Sequence, residues 1–264
     1  MNHLPIGIFD SGIGGLTVAH AIIDTLPQES LLYFGDTARI PYGTKSAEAI
    51  RQFSEEITHH LLRQGCKAIV VACNTASAAA LDHLRRKWPE APFVGMEPAV
   101  KPGAKATQTG VVGVLATAGT FRSQRYASLM RRYASGVTLL QDPCIGLVEQ
   151  IEAGKFQSPE TEALLRRIVQ PMLDQGADTF VLGCTHYPFI SPLLQRIIGE
   201  SRTIINPAPA VARQLSRVLQ QKGLLSSTPS PSYHFQISGP RQQFDFLATG
   251  LLGFPVRVEA GTEL

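Results

Sequence analysis

Two stretches of this chain occur twice in the same order, and this internal repeat constrains the fold more than any other feature. The segment Gly-Ile-Phe-Asp-Ser-Gly at residues 7–12 resembles Gly-Val-Leu-Ala-Thr-Ala at residues 113–118. The segment Lys-Ala-Ile-Val-Val-Ala-Cys-Asn-Thr at residues 67–75 resembles Asp-Thr-Phe-Val-Leu-Gly-Cys-Thr-His at residues 178–186. The offsets are 106 and 111 residues, which indicates one duplicated unit with small insertions.

Each copy alternates strand-like runs with helical stretches. Residues 68–72 form a continuous apolar run, typical of a strand buried on both faces of a parallel sheet, and residues 179–183 repeat the pattern. Helices are predicted after these runs, over residues 75–86 and 191–198. We therefore predict an α/β fold of two similar parallel-sheet domains related by pseudo-symmetry, with an active site in the cleft between them.

The Pro-rich stretch at residues 98–102 and the hinge-like Asn-Pro-Ala-Pro at residues 206–209 mark the predicted domain boundaries. We expect the tail after the hinge to return to the first domain, which makes that domain discontinuous. The first domain is then predicted at 1–97 plus 208–264, and the second at 98–207.

Composition excludes several classes of partner. The 264 residues include 24 basic and 21 acidic ones, and the net charge of +3 is too balanced for a nucleic-acid or membrane partner. No apolar run approaches the roughly 18 residues of a membrane helix. Residues 1–9 lack the charged start and apolar stretch of a signal peptide. We therefore expect a cytoplasmic protein.

Two of the four cysteines, Cys73 and Cys184, occupy equivalent positions in the repeat, where a buried strand ends and a helix begins. Ligands collect at this end of parallel strands, and helix N-termini favour a thiolate. Two facing thiols suit stereoinversion, in which a base removes a proton from one face and an acid returns one to the other. Cys66 and Cys144 have no equivalent in the repeat and are interpreted as core residues.

Polar residues beside these cysteines suit an amino-acid substrate. Asp10 and Ser11 end the first predicted strand, and the Asp10 carboxylate suits an ammonium group, a tuning role on Cys73 or a helix cap. Three further polar residues follow the two cysteines at predicted helix N-termini, which favour a carboxylate: Asn74, Thr75 and Thr185.

Two other features point to the same ligand. His186 lies two residues after Cys184 and is placed to move its proton. The connection at residues 35–43 is long for an α/β unit, and such loops are commonly functional. Within it, the Tyr42 hydroxyl and the Gly43 backbone are candidate donors to a second carboxylate.

Four motifs, in this order and spacing, resemble those of the glutamate racemases. They are Gly-Ile-Phe-Asp-Ser-Gly-Ile-Gly-Gly from Gly7, Gly-Asp-Thr-Ala-Arg-Ile-Pro-Tyr-Gly from Gly35, Ala-Cys-Asn-Thr-Ala from Ala72 and Gly-Cys-Thr-His-Tyr-Pro from Gly183. The resemblance implies interconversion of L- and D-glutamate without pyridoxal phosphate, metal or any other cofactor. It also implies a supply of D-glutamate for peptidoglycan synthesis. The oligomeric state is left open, a homodimer included.

The resemblance also implies individual roles. The family's first cysteine acts on the D-enantiomer and its second on the L-enantiomer, which assigns these roles to Cys73 and Cys184. The assisting residues carried over are Asp10, His186 and Glu152. Glu149, in the same segment as Glu152, is the alternative for the assisting glutamate. The substrate contacts carried over are Asp10, Ser11, Tyr42, Gly43, Asn74, Thr75, Thr117, Thr120, Thr185 and His186.

Four other functions are alternatives for a chain with these motifs. A dinucleotide enzyme is rejected, because Thr17 stands where the third glycine of G-x-G-x-x-G belongs. A zinc site of Cys73, Cys184 and His186 matches no common ligand spacing. A non-catalytic amino-acid-binding protein would need the cleft but not both cysteines. An aspartate racemase differs only in cleft length, because the two substrates differ by one methylene.

Overall fold

The computed structural model describes residues 2–227, 229–241 and 244–261. The chain divides into two compact units, Met1–Met96 with Ala208–Leu264 and Glu97–Pro207. Each unit is built on a parallel sheet with helices, which confirms the predicted α/β fold class. Among the described residues, none of the helices has both the length and the apolar character needed to cross a membrane.

The strands are numbered along the chain. Those of the first unit are β1 Ile6–Asp10, β2 Leu31–Gly35, β3 Ala68–Val71, β4 Phe93–Gly95, β9 Tyr233–Ile237 and β10 Val258–Glu259. Those of the second unit are β5 Val111–Leu115, β6 Thr138–Asp142, β7 Thr179–Leu182 and β8 Thr203–Ile205.

The helices are numbered in the same way. The first unit holds α1 Leu16–Thr25, α2 Ala47–Arg63, α3 Asn74–Lys87, α10 Ala208–Gln221 and α11 Phe244–Leu252. The second unit holds α4 Val100–Ala106, α5 Ala118–Phe121, α6 Gln124–Tyr133, α7 Leu147–Glu152, α8 Pro159–Asp174 and α9 Ser191–Ile198.

The two sheets share one strand order. Within the described residues, the first sheet runs β10-β9-β2-β1-β3-β4 and the second runs β6-β5-β7-β8. In each, the first strand of the repeat, β1 or β5, lies between the next two strands along the chain. The order therefore reverses beside β1 and beside β5, and such switch points are where parallel α/β sheets bind ligands.

The strands form because their side chains are buried on both faces. Every residue of β1 and of β3 is buried. Ser46 caps the N-terminus of helix α2, and its Oγ accepts the backbone N–H of Ala49 at 3.1 Å. Its buried residues include Ile50, Ile57 and Leu61, which share one helix face and join the core beneath the sheet.

The tail adds strands and helices to the first unit. β9 pairs in parallel with β2, β10 pairs with β9, and α10 packs against α1. The sequence predicts a helix over 241–252. Its residues 242 and 243 lie outside the described residues, and the described helix is α11. The sequence also predicts a strand over 256–258, but the strand is limited to β10, where backbone pairing with β9 is available.

The second unit departs from the predicted elements at one point. The sequence predicts one helix from the turn at residues 117–120 through Tyr133, but the structure contains two, α5 and α6. Ser123 separates them, because its Oγ donates to the Thr120 carbonyl at 2.7 Å and accepts the N–H of Tyr126 at 3.1 Å. This side chain ends one helix and caps the next.

Candidate active site

Asp10 is held at the start of α1. It ends β1 and is fully buried, and its Oδ2 accepts the backbone N–H groups of Gly12 at 3.1 Å and Gly15 at 2.9 Å. Gly15 leaves the space for this carboxylate, because a Cβ on it would lie 2.6 Å from the Cβ of Asp10. The helix N-terminus therefore stabilises the charge of Asp10.

Cys73 lies beside Ser11, because β1 and β3 are neighbours in the sheet. Cys73 is the N-cap of α3, where its Sγ accepts the backbone N–H of Ala76 at 3.4 Å. The same Sγ lies 3.9 Å from the Ser11 Oγ, and both residues are buried. A backbone donor and the positive end of α3 favour a thiolate at this position.

Asn74 and Thr75 are the first two residues of α3, and both are buried. The Asn74 side-chain amide has no hydrogen-bond partner for its nitrogen or its oxygen among the described residues. An unsatisfied buried polar group costs about 1–3 kcal/mol, and native structures contain few of them. The amide therefore suits a polar ligand group at the N-terminus of this helix.

The Tyr42 hydroxyl is already engaged within the first unit. It donates to Oδ2 of Asp36, and both residues are buried. Burial, and then the Asp36 charge, raise the pKa of Tyr42 well above its usual value. Tyr42 and Gly43 begin the short 3-10 helix Tyr42–Thr44, and the N–H groups that begin a helix have no acceptor within it. The backbone of this loop, rather than the Tyr42 hydroxyl, offers the donors suited to a carboxylate.

In the second unit, His186 lies between Cys184 and Glu152 and is within hydrogen-bond distance of both. Cys184 Sγ lies 3.6 Å from His186 Nδ1, and His186 Nε2 lies 2.5 Å from Glu152 Oε1. His186 is only 2% exposed. Burial alone would lower its pKa, but the interactions with Cys184 and Glu152 outweigh burial and hold the pKa of His186 well above its usual value. The imidazolium form can donate to the sulfur and the carboxylate at once.

The structure distinguishes between the two candidates for the assisting glutamate. Glu152 ends α7 and contacts His186, whereas Glu149 is exposed.

Gly183, which precedes Cys184, has to be a glycine, because a Cβ there would lie 2.6 Å from the Cβ of Ala116 and 2.9 Å from the Leu115 carbonyl oxygen.

Three threonines of the second unit lie in the segments that follow β5 and β7. Thr117 follows β5 and caps α5, with its Oγ1 accepting the N–H of Thr120 at 3.4 Å. The two hydroxyls lie 3.1 Å apart. Thr185 follows Cys184 and is buried. Thr117 stands after β5 as Ser11 stands after β1, so each unit ends its first strand with polar side chains.

Cys144 has more polar surroundings than its interpretation as a core residue implies. It is buried and has a left-handed backbone, with φ of 48°. Its N–H donates to Asp142 Oδ1 at 2.7 Å. Burial, and then the Asp142 charge, raise its pKa well above the usual value, and it interacts electrostatically with Cys184 and Tyr187. No sequence pattern predicts this neighbourhood, because Cys144 has no equivalent in the repeat.

Possible metal ligands were sought among the His, Cys, Asp and Glu side chains of the described parts of the chain. No group of three or more His, Cys, Asp or Glu side chains there is arranged to hold a metal ion. All four cysteines are free thiols.

Comparison with known proteins places the chain in a family. The sequence profile described as Asp/Glu/Hydantoin racemase matches residues 15–215. The chain belongs to this racemase family. It is therefore an amino-acid racemase, an isomerase, and its curated relatives agree with that activity.

Two of those relatives are similar over nearly their whole length. The glutamate racemase of Ectopseudomonas mendocina (strain ymp) is 52% identical over 254 residues, which cover 96% of this chain and 97% of that protein. The glutamate racemase of Pseudomonas aeruginosa (strain PAO1) is 51% identical over 253 residues, which cover 96% of each.

Solved structures of family members share the fold. A glutamate racemase isoform from Bacillus anthracis matches with a TM-score of 0.90 at 35% identity, over 100% of this chain and 99% of that one. The enzyme of Francisella tularensis, solved with D-glutamate, matches with a TM-score of 0.86 at 32% identity, over 99% and 98%. The enzyme of Escherichia coli, solved with L-glutamate and an activator, matches with a TM-score of 0.85 at 30% identity, over 97% of each.

Proposed function

We propose that this racemase interconverts L- and D-glutamate by proton transfer at Cα, with Cys73 and Cys184 as the two bases. One observation supports the proposal most directly. In each unit a buried cysteine comes just after the strand that pairs with the first strand of the repeat, β3 beside β1 or β7 beside β5, and polar side chains surround it. The choice of glutamate is supported by the relatives, two of which were solved with its D- and L-forms.

From L-glutamate, the Cys184 thiolate takes the Cα proton and becomes a thiol. The carbanion left at Cα then takes a proton from the Cys73 thiol on the other face, which gives D-glutamate and a Cys73 thiolate. From D-glutamate the roles reverse, so each cysteine is base in one direction and acid in the other. The mechanism requires one substrate to reach both sulfurs.

His186 and Glu152 assist the Cys184 half of the reaction. The His186 imidazolium donates to the Cys184 thiolate, and the Glu152 carboxylate stabilises the imidazolium. Ser11 and the Ala76 N–H surround the Cys73 sulfur. The cysteine that acts on L-glutamate thus lies beside a charged imidazolium, and the one that acts on D-glutamate lies beside the Ser11 hydroxyl and a helix N-terminal N–H.

The remaining site residues bind the substrate in this proposal. Asp10 supplies negative charge for the ammonium group. The α-carboxylate and the side-chain carboxylate take the donors that the strand and helix ends offer, the unsatisfied Asn74 amide among them. These proposed donors are Ser11, Asn74, Thr75, Thr117, Thr120, Thr185, and the backbone of Tyr42 and Gly43.

We also propose a cellular role that follows from the activity. The D-glutamate is used for peptidoglycan synthesis, and the reducing cytoplasm is the compartment that keeps the required thiols free.

A chiral assay of the purified enzyme tests the function. Wild type is expected to convert each enantiomer of glutamate into the other and to be far slower on aspartate. Cys73→Ser and Cys184→Ser are each expected to lower turnover in both directions by about 100-fold or more, because a hydroxyl is a much weaker acid than a thiol. Cys66→Ser, the control, should keep its turnover. A wild type inactive on glutamate, or either variant with most of its turnover, contradicts the proposal.

A further inference from the structure

The tail of the chain holds the loop that follows β2. We propose that Ser238 and Gly239 are positioning residues for residues 36–44, and that they thereby set how tightly the side-chain carboxylate of the substrate binds. This rests on the proposed function, in which the backbone of Tyr42 and Gly43 is among the donors to the two carboxylates of glutamate, and it assigns these donors to the side-chain carboxylate.

The Ser238 side chain bridges the start of the loop. Ser238 follows β9, and its own N–H donates to the Gly35 carbonyl at 3.1 Å. Its hydroxyl donates to Asp36 Oδ1 at 2.7 Å, and its Oγ accepts the N–H of Ala38 at 3.0 Å. One side chain from the tail therefore fixes both the carboxylate and the backbone of the loop.

Asp36 carries this contact on to Tyr42. Asp36 is fully buried, and its Oδ2 accepts the Arg39 Nε at 2.7 Å and the Tyr42 hydroxyl. Ser238 is thus the donor to the other oxygen of the carboxylate. A buried carboxylate that loses a donor is under-solvated, so its remaining partners are expected to shift. Such a shift reaches the backbone at Tyr42, where the 3-10 helix begins.

Gly239 lets the tail approach the loop closely. Its N–H donates to Thr37 Oγ1 at 3.0 Å. A Cβ on Gly239 would lie 2.7 Å from that oxygen and 3.1 Å from the backbone nitrogen of Ala38. Any side chain at this position therefore pushes the loop away from the tail.

Steady-state kinetics of Ser238→Ala test the proposal. KM for both enantiomers of glutamate is expected to rise by about 10-fold, while kcat stays within about two-fold, because the thiols are untouched. Ser238→Thr keeps the hydroxyl and should restore most of the loss. Ser232→Ala is the matched control, because Ser232 is an exposed serine just before β9, with its hydroxyl 3.5 Å from Ser30 Oγ.

A ligand without the side-chain carboxylate separates positioning from a general structural defect. D-2-aminobutyrate, used as a competitive inhibitor, should show the same Ki against wild type and Ser238→Ala. Gly239→Ala is a second variant, expected to raise KM for glutamate in the same way and usable if Ser238→Ala does not fold.

Three results overturn the proposal. One is an unchanged KM in the folded variants of an active wild type. Another is a Ki for D-2-aminobutyrate that rises together with KM, and the third is a loss confined to kcat. A wild type without turnover on glutamate is a separate result, since it removes the proposed function as well.

Discussion

At the scale of single residues, the four cysteines differ in environment rather than in exposure. All four are buried, from 2% to 6% exposed. Burial raises the pKa of Cys66 to about 12 and that of Cys144 well above its usual value. The Cys73 sulfur accepts a backbone N–H at the N-terminus of α3. The Cys184 sulfur lies beside His186, whose pKa is raised. Burial therefore disfavours the thiolate at Cys66 and Cys144, which makes these two thiols the less reactive.

Alkylation with iodoacetamide should follow this difference, because the thiolate is the reactive form. We expect inactivation through Cys73 or Cys184, with Cys66 and Cys144 modified later, and glutamate should protect. Peptide mass spectrometry over a time course measures the order of labelling. Rapid labelling of Cys144 with full retention of activity contradicts the assignment.

At the scale of secondary-structure elements, strands were easier to predict than helix boundaries. Continuous apolar runs mark β3 and β7, because only strands buried on both faces need them. The break between α5 and α6 depends on Ser123 bonding backwards to Thr120, which periodicity does not encode. Contacts between distant elements were equally hidden: the pairing of β9 with β2 brings Ser238 to Asp36, and no motif links those residues.

One such contact gives a prediction about stability. Asp178, just before β7, holds the turn before β5 by accepting the hydroxyl of Thr107 at 2.6 Å and the N–H groups of Gln108 and Thr109 at 2.7 and 2.9 Å. Burial opposes its charge, but these bonds outweigh burial and lower the pKa of Asp178 to about 2. Asp178→Asn should therefore lower Tm at neutral pH, by about 2–4 °C.

The pH dependence of that loss follows from the direction of the shift. Because the folded pKa is the lower one, the charged carboxylate stabilises the fold above the unfolded value of 3.8, and this stabilisation is lost as pH falls towards 2. The difference in Tm between wild type and variant should thus narrow from pH 7 to pH 3. Asp174→Asn, at an exposed position on α8, is the control. A difference that is constant with pH contradicts the account.

At the scale of the whole molecule, the duplicated sequence produced the most useful predictions. It indicated two parallel sheets and singled out Cys73 and Cys184, because equivalent positions in a repeat carry more weight than any lone cysteine. The structure adds the partners of each residue. Glu152 rather than Glu149 contacts His186, and the Tyr42 hydroxyl is occupied by Asp36. Those choices depend on side-chain packing across elements, which a linear pattern does not contain.

The central claim is that two different bases act on the two faces of one substrate, and isotope flow tests it most directly. The enzyme is run on L-glutamate in deuterium oxide and stopped early, and both enantiomers are separated and weighed by mass spectrometry. The account predicts that the D-glutamate formed carries deuterium at Cα while the remaining L-glutamate carries almost none, because the Cys184 proton is not the one that Cys73 delivers. Early D-glutamate that keeps the original proton would show a single base serving both faces and would contradict the account.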